Sequence, residues 1–165
     1  MWVERLVLVL MWLSGALVLV VFIPSNKRRE GALALLVLQA IIWLCDLFAF
    51  RYGLLSAPVR EFPKATDLSI TINYFFYPAL FAVFYSRRKE KAGLARRATM
   101  LVLWITCLTI FDGLIEQYTG LLEYGKITTY GMWLYLWLLY YTSLSFCDWF
   151  FKKRTLFRAD RRRVL

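Results

Sequence analysis

Five long apolar segments divide the sequence, and their lengths restrict what the chain can fold into. They cover residues 6–23, 31–50, 68–86, 98–122 and 127–151. Each is close to the ~20 residues that an α-helix needs to cross the hydrocarbon core of a bilayer. Because lipid offers no hydrogen-bond partners to the backbone, such segments are expected to form helices. The sequence therefore predicts an all-α fold, a polytopic bundle of five transmembrane helices that forms one domain over residues 1–151.

The composition supports a membrane environment. Hydrophobic residues make up 61% of the chain and aromatic residues 18%, whereas soluble domains contain roughly 45–50% apolar residues. A water-soluble fold of 165 residues has too little interior to bury so much apolar surface. We therefore expect lipid to cover the remainder.

Basic residues lie in short blocks between the apolar segments and predict their orientation. Of the 21 Lys and Arg residues, sixteen fall in the segments 27–29 and 87–97 and in the basic tail 152–165. The positive-inside rule places that side in the cytoplasm, so five spans put the N-terminus outside and the C-terminus inside. Such blocks also attract anionic lipid headgroups. The net charge of +10 is thereby explained by membrane lipids as partners, with no nucleic acid.

Residues that commonly hold metals or perform catalysis are scarce. The sequence has no histidine, and its three cysteines, Cys45, Cys107 and Cys147, lie inside apolar segments without CxxC spacing. Histidine-ligated metal sites and Ser-His-Asp catalysis are therefore excluded. We expect no cofactor and no metal site.

Polar side chains inside the spans fall at one depth. With a rise of 1.5 Å per residue, Asp46 and Asp112 lie roughly 21–22 Å above the cytoplasmic boundary, and Asn73 lies at a similar height. Glu116 is roughly 27 Å up, and Trp133 lies in the same band. An ionisable residue inside a span costs about 2.5–3.5 kcal/mol and often marks a functional site. This layer in the outer half of the bundle is the predicted ligand-binding site.

The fourth segment contributes two acids to this layer. Asp112 and Glu116 are spaced i, i+4 and share a helical face. Two carboxyl groups that close, away from bulk water, should not both ionise freely, so one would tend to hold a proton. Gly113 is expected to allow close helix approach. If the chain were an enzyme, Asp112 and Glu116 would be its acid and base; the sequence identifies no other catalytic residue.

The third segment contributes amide and phenol groups. Pro78 cannot donate to the Tyr74 carbonyl, which predicts a free acceptor and a kink. Asn73, Tyr74 and Tyr77 could then line the same cavity as the acids. Asp148 is interpreted differently, because Lys152 lies four residues further on and an ion pair at the cytoplasmic boundary accounts for it.

An internal duplication is a further hypothesis. The sequence from Asp46 to Leu55 resembles that from Asp112 to Leu122, since each has a tyrosine six residues after the aspartate and then a Gly-Leu-Leu sequence. One extra helix followed by two repeated hairpins would give this pattern. Parallel repeats with sites at their interface are known in transporters.

Three functions remain open from these residues. The first is a pocket in the outer half that binds or passes a small cation or an amphipathic, lipid-like molecule. The second is an intramembrane enzyme that uses acid–base chemistry on a lipid or isoprenoid. The third is a structural or assembly partner in a membrane complex. A simple channel would need a homo-oligomer or a second membrane protein.

Several short landmarks along the whole chain resemble a known family. They are Ile23-Pro24 with Asn26-Lys27-Arg28-Arg29-Glu30, then Arg60-Glu61-Phe62-Pro63-Lys64, then Asn73-Tyr74-Phe75-Phe76-Tyr77-Pro78, and finally Glu116, Tyr124 and Trp133. In these the chain is similar to an uncharacterised family of small five-helix integral membrane proteins of spore-forming Firmicutes. The resemblance implies a multi-pass protein of a bacterial plasma membrane, and it implies no activity.

Overall fold

The computed structural model describes residues 2–59, 61, 64, 69–88 and 93–161, with side chains up to residue 152. Helices account for nearly all of these residues. In chain order the elements are α1 (Trp2–Phe22), a 3₁₀ turn (Ser25–Lys27), α2 (Arg28–Arg51), β1 (Leu55–Ser56), a π-helical segment (Ile70–Phe76), α3 (Tyr77–Arg87), α4 (Leu94–Tyr118), β2 (Glu123–Tyr124) and α5 (Thr129–Arg161).

The helices follow the five apolar segments, with clear differences at the ends of the last two. α5 continues to Arg161, ten residues beyond the predicted end of its span and into the basic tail, whereas α4 ends early. We expected this helix to continue to residue 122, but α4 ends at Tyr118 and Thr119 is already extended, with φ −141° and ψ 159°. Leu121 and Leu122 turn inward and are buried. Burial of these two side chains therefore outweighs continuation of the helix.

α3 lies at the centre of the bundle. Most of its side chains are buried, and Ala79, Phe81 and Ala82 are fully so. It packs against α1 and α2, and α5 packs against both α2 and α4. A helix that is apolar all round is normally an interior one, which explains how an 11-residue helix is held in the middle of longer neighbours.

The longer helices each bury one stripe and expose the rest. In α1 the buried residues are Leu8, Met11 and Gly15, whose spacing of three and four places them on one face. Gly15 is required there, because a Cβ atom would lie 2.9 Å from the ring of Phe75. Large apolar side chains cover the remaining surface of α1. An apolar surface of this kind is suited to contact with lipid.

Three helical stretches are long and apolar enough to cross a membrane. They are Trp2–Phe22, Ser25–Arg51 and Leu94–Tyr118, of 21, 27 and 25 residues. The first, second and fourth predicted positions therefore hold helices that could span a membrane by their length and composition. In the described part of the chain, α3 and α5 are not among the helices that are both long and apolar enough.

The ends of α2 and α4 meet in a small strand pair. Leu55 pairs with Tyr124 and Ser56 with Glu123 in antiparallel register. α2 ends in a Schellman arrangement in which the Leu54 N–H donates to the Ala49 carbonyl and Gly53 takes φ +67°. Hydrogen bonds across the pair hold this end of the bundle together.

The π-helical segment, which continues into α3, begins at the end of the bundle where the strand pair lies. The carboxylate of Glu61 caps its first residues. Glu61 accepts hydrogen bonds from the backbone N–H groups of Ile70 and Thr71 at 3.1 and 2.9 Å, and from the Ser69 hydroxyl. Partial burial favours the neutral acid, but these hydrogen bonds outweigh it and hold the pKa of Glu61 below its usual value. The cap fixes where the π-helical segment starts and thus the height of Asn73.

Candidate functional site

Asp46 is the centre of a buried hydrogen-bonded cluster. It lies on α2 and is 4% exposed. One carboxylate oxygen accepts a 2.6 Å hydrogen bond from the Asn73 side-chain amide, and the other accepts one from the Tyr135 hydroxyl. The cluster therefore joins α2, the π-helical segment and α5, and it satisfies both oxygens of this acid.

A small cavity adjoins the cluster. Asp46, Asn73, Tyr77 and Tyr135 supply its polar groups, and apolar side chains of α2, α5 and the Leu122 region complete its wall. Its volume is about 20 Å³. A cavity needs about 10–15 Å³ to hold a water molecule, so this one accommodates a single water or an ion of similar size.

The structure thus brings three of the predicted site residues, Asp46, Asn73 and Tyr77, around one cavity. Tyr74 is half-buried and close enough to Asp46 for an electrostatic interaction. Trp133 is not placed there, because its indole N–H donates instead to the Thr106 hydroxyl on α4 at 3.2 Å. Our assignment of Trp133 to the pocket is not supported by this contact.

Asp112 is fully buried and unpartnered. Its exposed fraction is 0%, and neither carboxylate oxygen has a hydrogen-bond partner among the described residues. Asp46 is close enough to interact with it electrostatically. A buried carboxylate without compensation is very costly, so this group must hold a proton or bind a cation or water.

The phenols of Tyr124 and Tyr140 lie near Asp112, and both interact electrostatically with it. The Tyr124 hydroxyl is buried and makes no hydrogen bond in the described part of the chain, whereas the Tyr140 hydroxyl is close enough to the Trp104 side chain for a hydrogen bond. Tyr124 lies in β2, and burial followed by the nearby Asp112 and Glu116 carboxyl groups raises its pKa above the usual value. Two oxygen-bearing side chains, Asp112 and Tyr124, thus share one region with unused hydrogen-bonding capacity.

The neighbours predicted for Asp112 differ from those in the structure. Glu116 is only half-buried, and the carboxyl group that acts electrostatically on Asp112 is that of Asp46. The expectation for Gly113 is wrong, because a Cβ atom at that position would meet nothing within 4 Å. Gly113 therefore faces open space rather than a closely packed helix.

Asp148, on α5, has hydrogen-bond partners at the end of α3. It accepts hydrogen bonds from the Arg88 guanidinium and from the Tyr85 hydroxyl. These contacts tie α3 to α5 at the end of the bundle opposite the strand pair. Asp148 is therefore structural at this site, as expected, although the partner we predicted was Lys152.

Tyr135 is the functional candidate that sequence reasoning missed. We interpreted tyrosines near span ends as interfacial residues. Its spacing gives the available signal, since Tyr135 lies three residues after Met132 and four before Leu139, both of which are buried. A tyrosine in register with a buried face can reach an interior partner.

The residues show which chemical groups the site contains, but the comparisons with known proteins do not identify the site further. Carboxyl, amide and phenol groups are present, while within the described ranges no three His, Cys, Asp or Glu side chains cluster as a metal site. No family model, curated protein or solved structure matches the chain. The site therefore has to be interpreted from its own chemistry.

Proposed function

We propose that the chain is a five-span protein of a bacterial plasma membrane that binds a small cation in the outer half of its bundle, with Asp112 as the charged ligand. The observation that carries this proposal is the fully buried Asp112 carboxyl group without a hydrogen-bond partner in the described residues. A cation or a proton would neutralise it.

A cavity in this region, which Asp46 lines and Asp112 does not, favours a small ligand over a lipid-like molecule. The cavity beside Asp46 measures about 20 Å³, whereas pockets for drug-sized molecules are about 300–1,000 Å³. Hard cations prefer oxygen ligands, and the region offers two carboxyl groups and the phenols of Tyr124 and Tyr140. The same small volume gives no support to an enzyme that admits a lipid or isoprenoid here.

The height of the acids supports a site in the outer half. Asp46 is five residues, or about 8 Å, from the end of α2, and Asp112 is six residues, or about 9 Å, from the end of α4. Both helix ends lie beside the strand pair. The predicted cytoplasmic side is the opposite end, where Arg87, Arg88 and the first turn of α4 are found.

The membrane arrangement rests on further features. The π-helical segment contains 7 residues and α3 contains 11. At the 1.5 Å rise of an α-helix this rod would measure at most about 27 Å, because a π-helix rises less per residue, and that length is close to the ~30 Å hydrocarbon core. α5 is long enough to cross and exposes large apolar side chains, including Leu134, Leu138 and Phe146. The bacterial location is proposed from the resemblance of short sequence landmarks to small membrane proteins of spore-forming Firmicutes. Passage of the cation would need a homo-oligomer or a partner protein.

A structural role is the second candidate, and it applies to Asp46. Its two carboxylate oxygens are used by Asn73 and Tyr135, so this acid holds three helical segments together. We propose that Asp46 fixes the frame of the site while Asp112 carries the ligand. The two acids then have different roles, and the difference is testable.

The test is thermal unfolding of the protein in lipid nanodiscs as Na⁺, K⁺ or Li⁺ replaces choline at constant ionic strength, with a parallel pH series. A bound cation stabilises the folded state by about 2.7 kcal/mol at one hundred times its Kd. We expect the stabilisation to vanish in Asp112→Asn and to persist in Glu116→Gln, a matched amide change one helical turn away. A response to pH alone that Asp112→Asn abolishes would identify the proton as the cation. An unchanged response in Asp112→Asn would refute the proposal.

A further inference from the structure

A large cleft opens at the basic end of the bundle, away from the carboxyl site. It lies between α3, α4 and α5 and has a volume of about 520 Å³. Apolar side chains line one part of it, including Leu101, Trp104, Trp137 and Leu144. Pockets that bury a whole organic ligand have volumes of this order.

Four arginines surround the other part of the cleft. They are Arg87 and Arg88 at the end of α3 and Arg96 and Arg97 in the first turn of α4, and Asp148 is the acid that lines the same cleft. The Nε atoms of Arg88 and Arg97 are buried and have no hydrogen-bond partner in the described chain. The cleft therefore contains buried, unused donors and an excess of positive charge.

The helix that forms one wall adds to this preference for anions. α4 begins at Leu94, and Leu94, Arg96 and Arg97 all line the cleft. The first backbone N–H groups of a helix have no intrahelical acceptor, and the helix dipole favours negative charge there. Arginine guanidinium groups bind phosphate oxygens with paired, charge-assisted hydrogen bonds.

The order of charged and apolar groups along α4 matches an amphipathic anion. Arg97 and Trp104 are seven residues apart, so the apolar part of the cleft extends about 10 Å from the arginines along the helix axis. Met100 and Val102, which line the cleft, and the neighbouring Leu103 are exposed apolar residues. A molecule that fits this arrangement has a phosphate at the arginines and hydrocarbon chains along α4 and α5.

We propose that this cleft binds one anionic phospholipid of the surrounding bilayer, with its phosphate held by Arg96 and Arg97 and its acyl chains against Trp104 and Trp137. The assignment rests on the five-span arrangement but not on the cation site. Basic pockets between transmembrane helices on the cytoplasmic side recognise anionic headgroups in this way.

Native mass spectrometry of delipidated protein with equimolar phosphatidylglycerol and phosphatidylcholine tests the site. We expect one tightly held phosphatidylglycerol on the wild-type chain and at least tenfold weaker binding in Arg96→Gln/Arg97→Gln. Arg28→Gln/Arg29→Gln is the matched control, because it removes the same charge from the predicted cytoplasmic end of α2. The control should retain the lipid.

A second variant tests the apolar part without changing the charge. Ser145 is exposed and lines the cleft, so Ser145→Trp should fill the acyl-chain space and also weaken binding at least tenfold. Equal loss in the Arg28/Arg29 control would show general charge attraction and overturn the site. Displacement of the lipid by inorganic phosphate would show that the cleft is a free-anion site. Equal retention of phosphatidylcholine would show non-specific lipid contact. Either result would also overturn the proposed phospholipid site. Helicity and thermal unfolding of each variant establish that it is folded. Failure here leaves the response of Asp112→Asn to cations unaffected.

Discussion

Replacing each buried aspartate by leucine should have opposite consequences for stability. Asp46→Leu removes the acceptor of two hydrogen bonds, from Asn73 and Tyr135. Hydrogen bonds between membrane helices contribute about 0.6 kcal/mol on average and up to about 1.7 kcal/mol. The variant should therefore lose roughly 1–3 kcal/mol of unfolding free energy through these two bonds. Asp112→Leu breaks no hydrogen bond that the structure describes, so it should be neutral or stabilising in cation-free buffer.

The comparison isolates the hydrogen bonds, because both variants remove one buried carboxyl group and add the same apolar side chain. Equilibrium unfolding in mixed detergent micelles, with choline as the only added cation, measures the difference. A double-mutant cycle of Asp46→Leu with Tyr135→Phe should give a coupling of about 0.6–1.7 kcal/mol. If Asp112→Leu destabilises the protein as much as Asp46→Leu, the unpartnered state of Asp112 is refuted.

Three further perturbations test the frame of the site. The folded-state pKa of Glu61 is depressed, so the stabilisation by its carboxylate should be present at neutral pH and lost as pH falls from the unfolded pKa of about 4.3 through the folded pKa. Glu61→Gln should therefore approach wild-type stability only in acid, and a constant difference in stability across pH would contradict this. Gly125→Ala should destabilise the strand pair, because its Cβ would collide with the Gly53 carbonyl oxygen, whereas Gly113→Ala, whose Cβ would meet no described atom within 4 Å, should not; denaturant titration compares the two. Phe81→Ala should cost about 3–5 kcal/mol in the same titration because Phe81 is fully buried, and a loss below about 1 kcal/mol would place the core elsewhere.

The sequence could predict the helices and the depth of the polar groups, because both depend on local features. Apolar length indicates a membrane helix, and position along a helix gives height. Asp46 and Asn73 were placed at the same height and do meet. The direction in which each helix points its side chains was harder to predict from the sequence. Trp133 was expected at the same height, but its indole N–H donates to Thr106 on α4, six residues before Asp112.

The end of α4 shows a second limit of prediction from the sequence. Its predicted end at residue 122 followed the apolar run, yet the chain leaves the helix at Tyr118 and buries Leu121 and Leu122 beneath the strand pair. Hydropathy cannot distinguish an apolar residue that faces lipid from one that is buried in protein. The pairing of Leu55 with Tyr124 depends on contacts between distant parts of the chain, which apolar length alone does not encode.

Asp46 and Asp112 allow the hypothesis of an internal duplication to be compared with the structure. They occupy matching positions in the compared sequences and are both buried, at 4% and 0% exposure, but their surroundings differ. The glycines that follow them differ too, since Gly53 takes a positive φ and Gly120 does not. A buried, ionisable residue costs about 2.5–3.5 kcal/mol to insert. At Asp46 two hydrogen bonds offset that cost, whereas at Asp112 the described residues offer none. In the proposed function, a proton or a bound cation offsets this cost at Asp112, and Asp112 is therefore the residue at which a search for a ligand should begin.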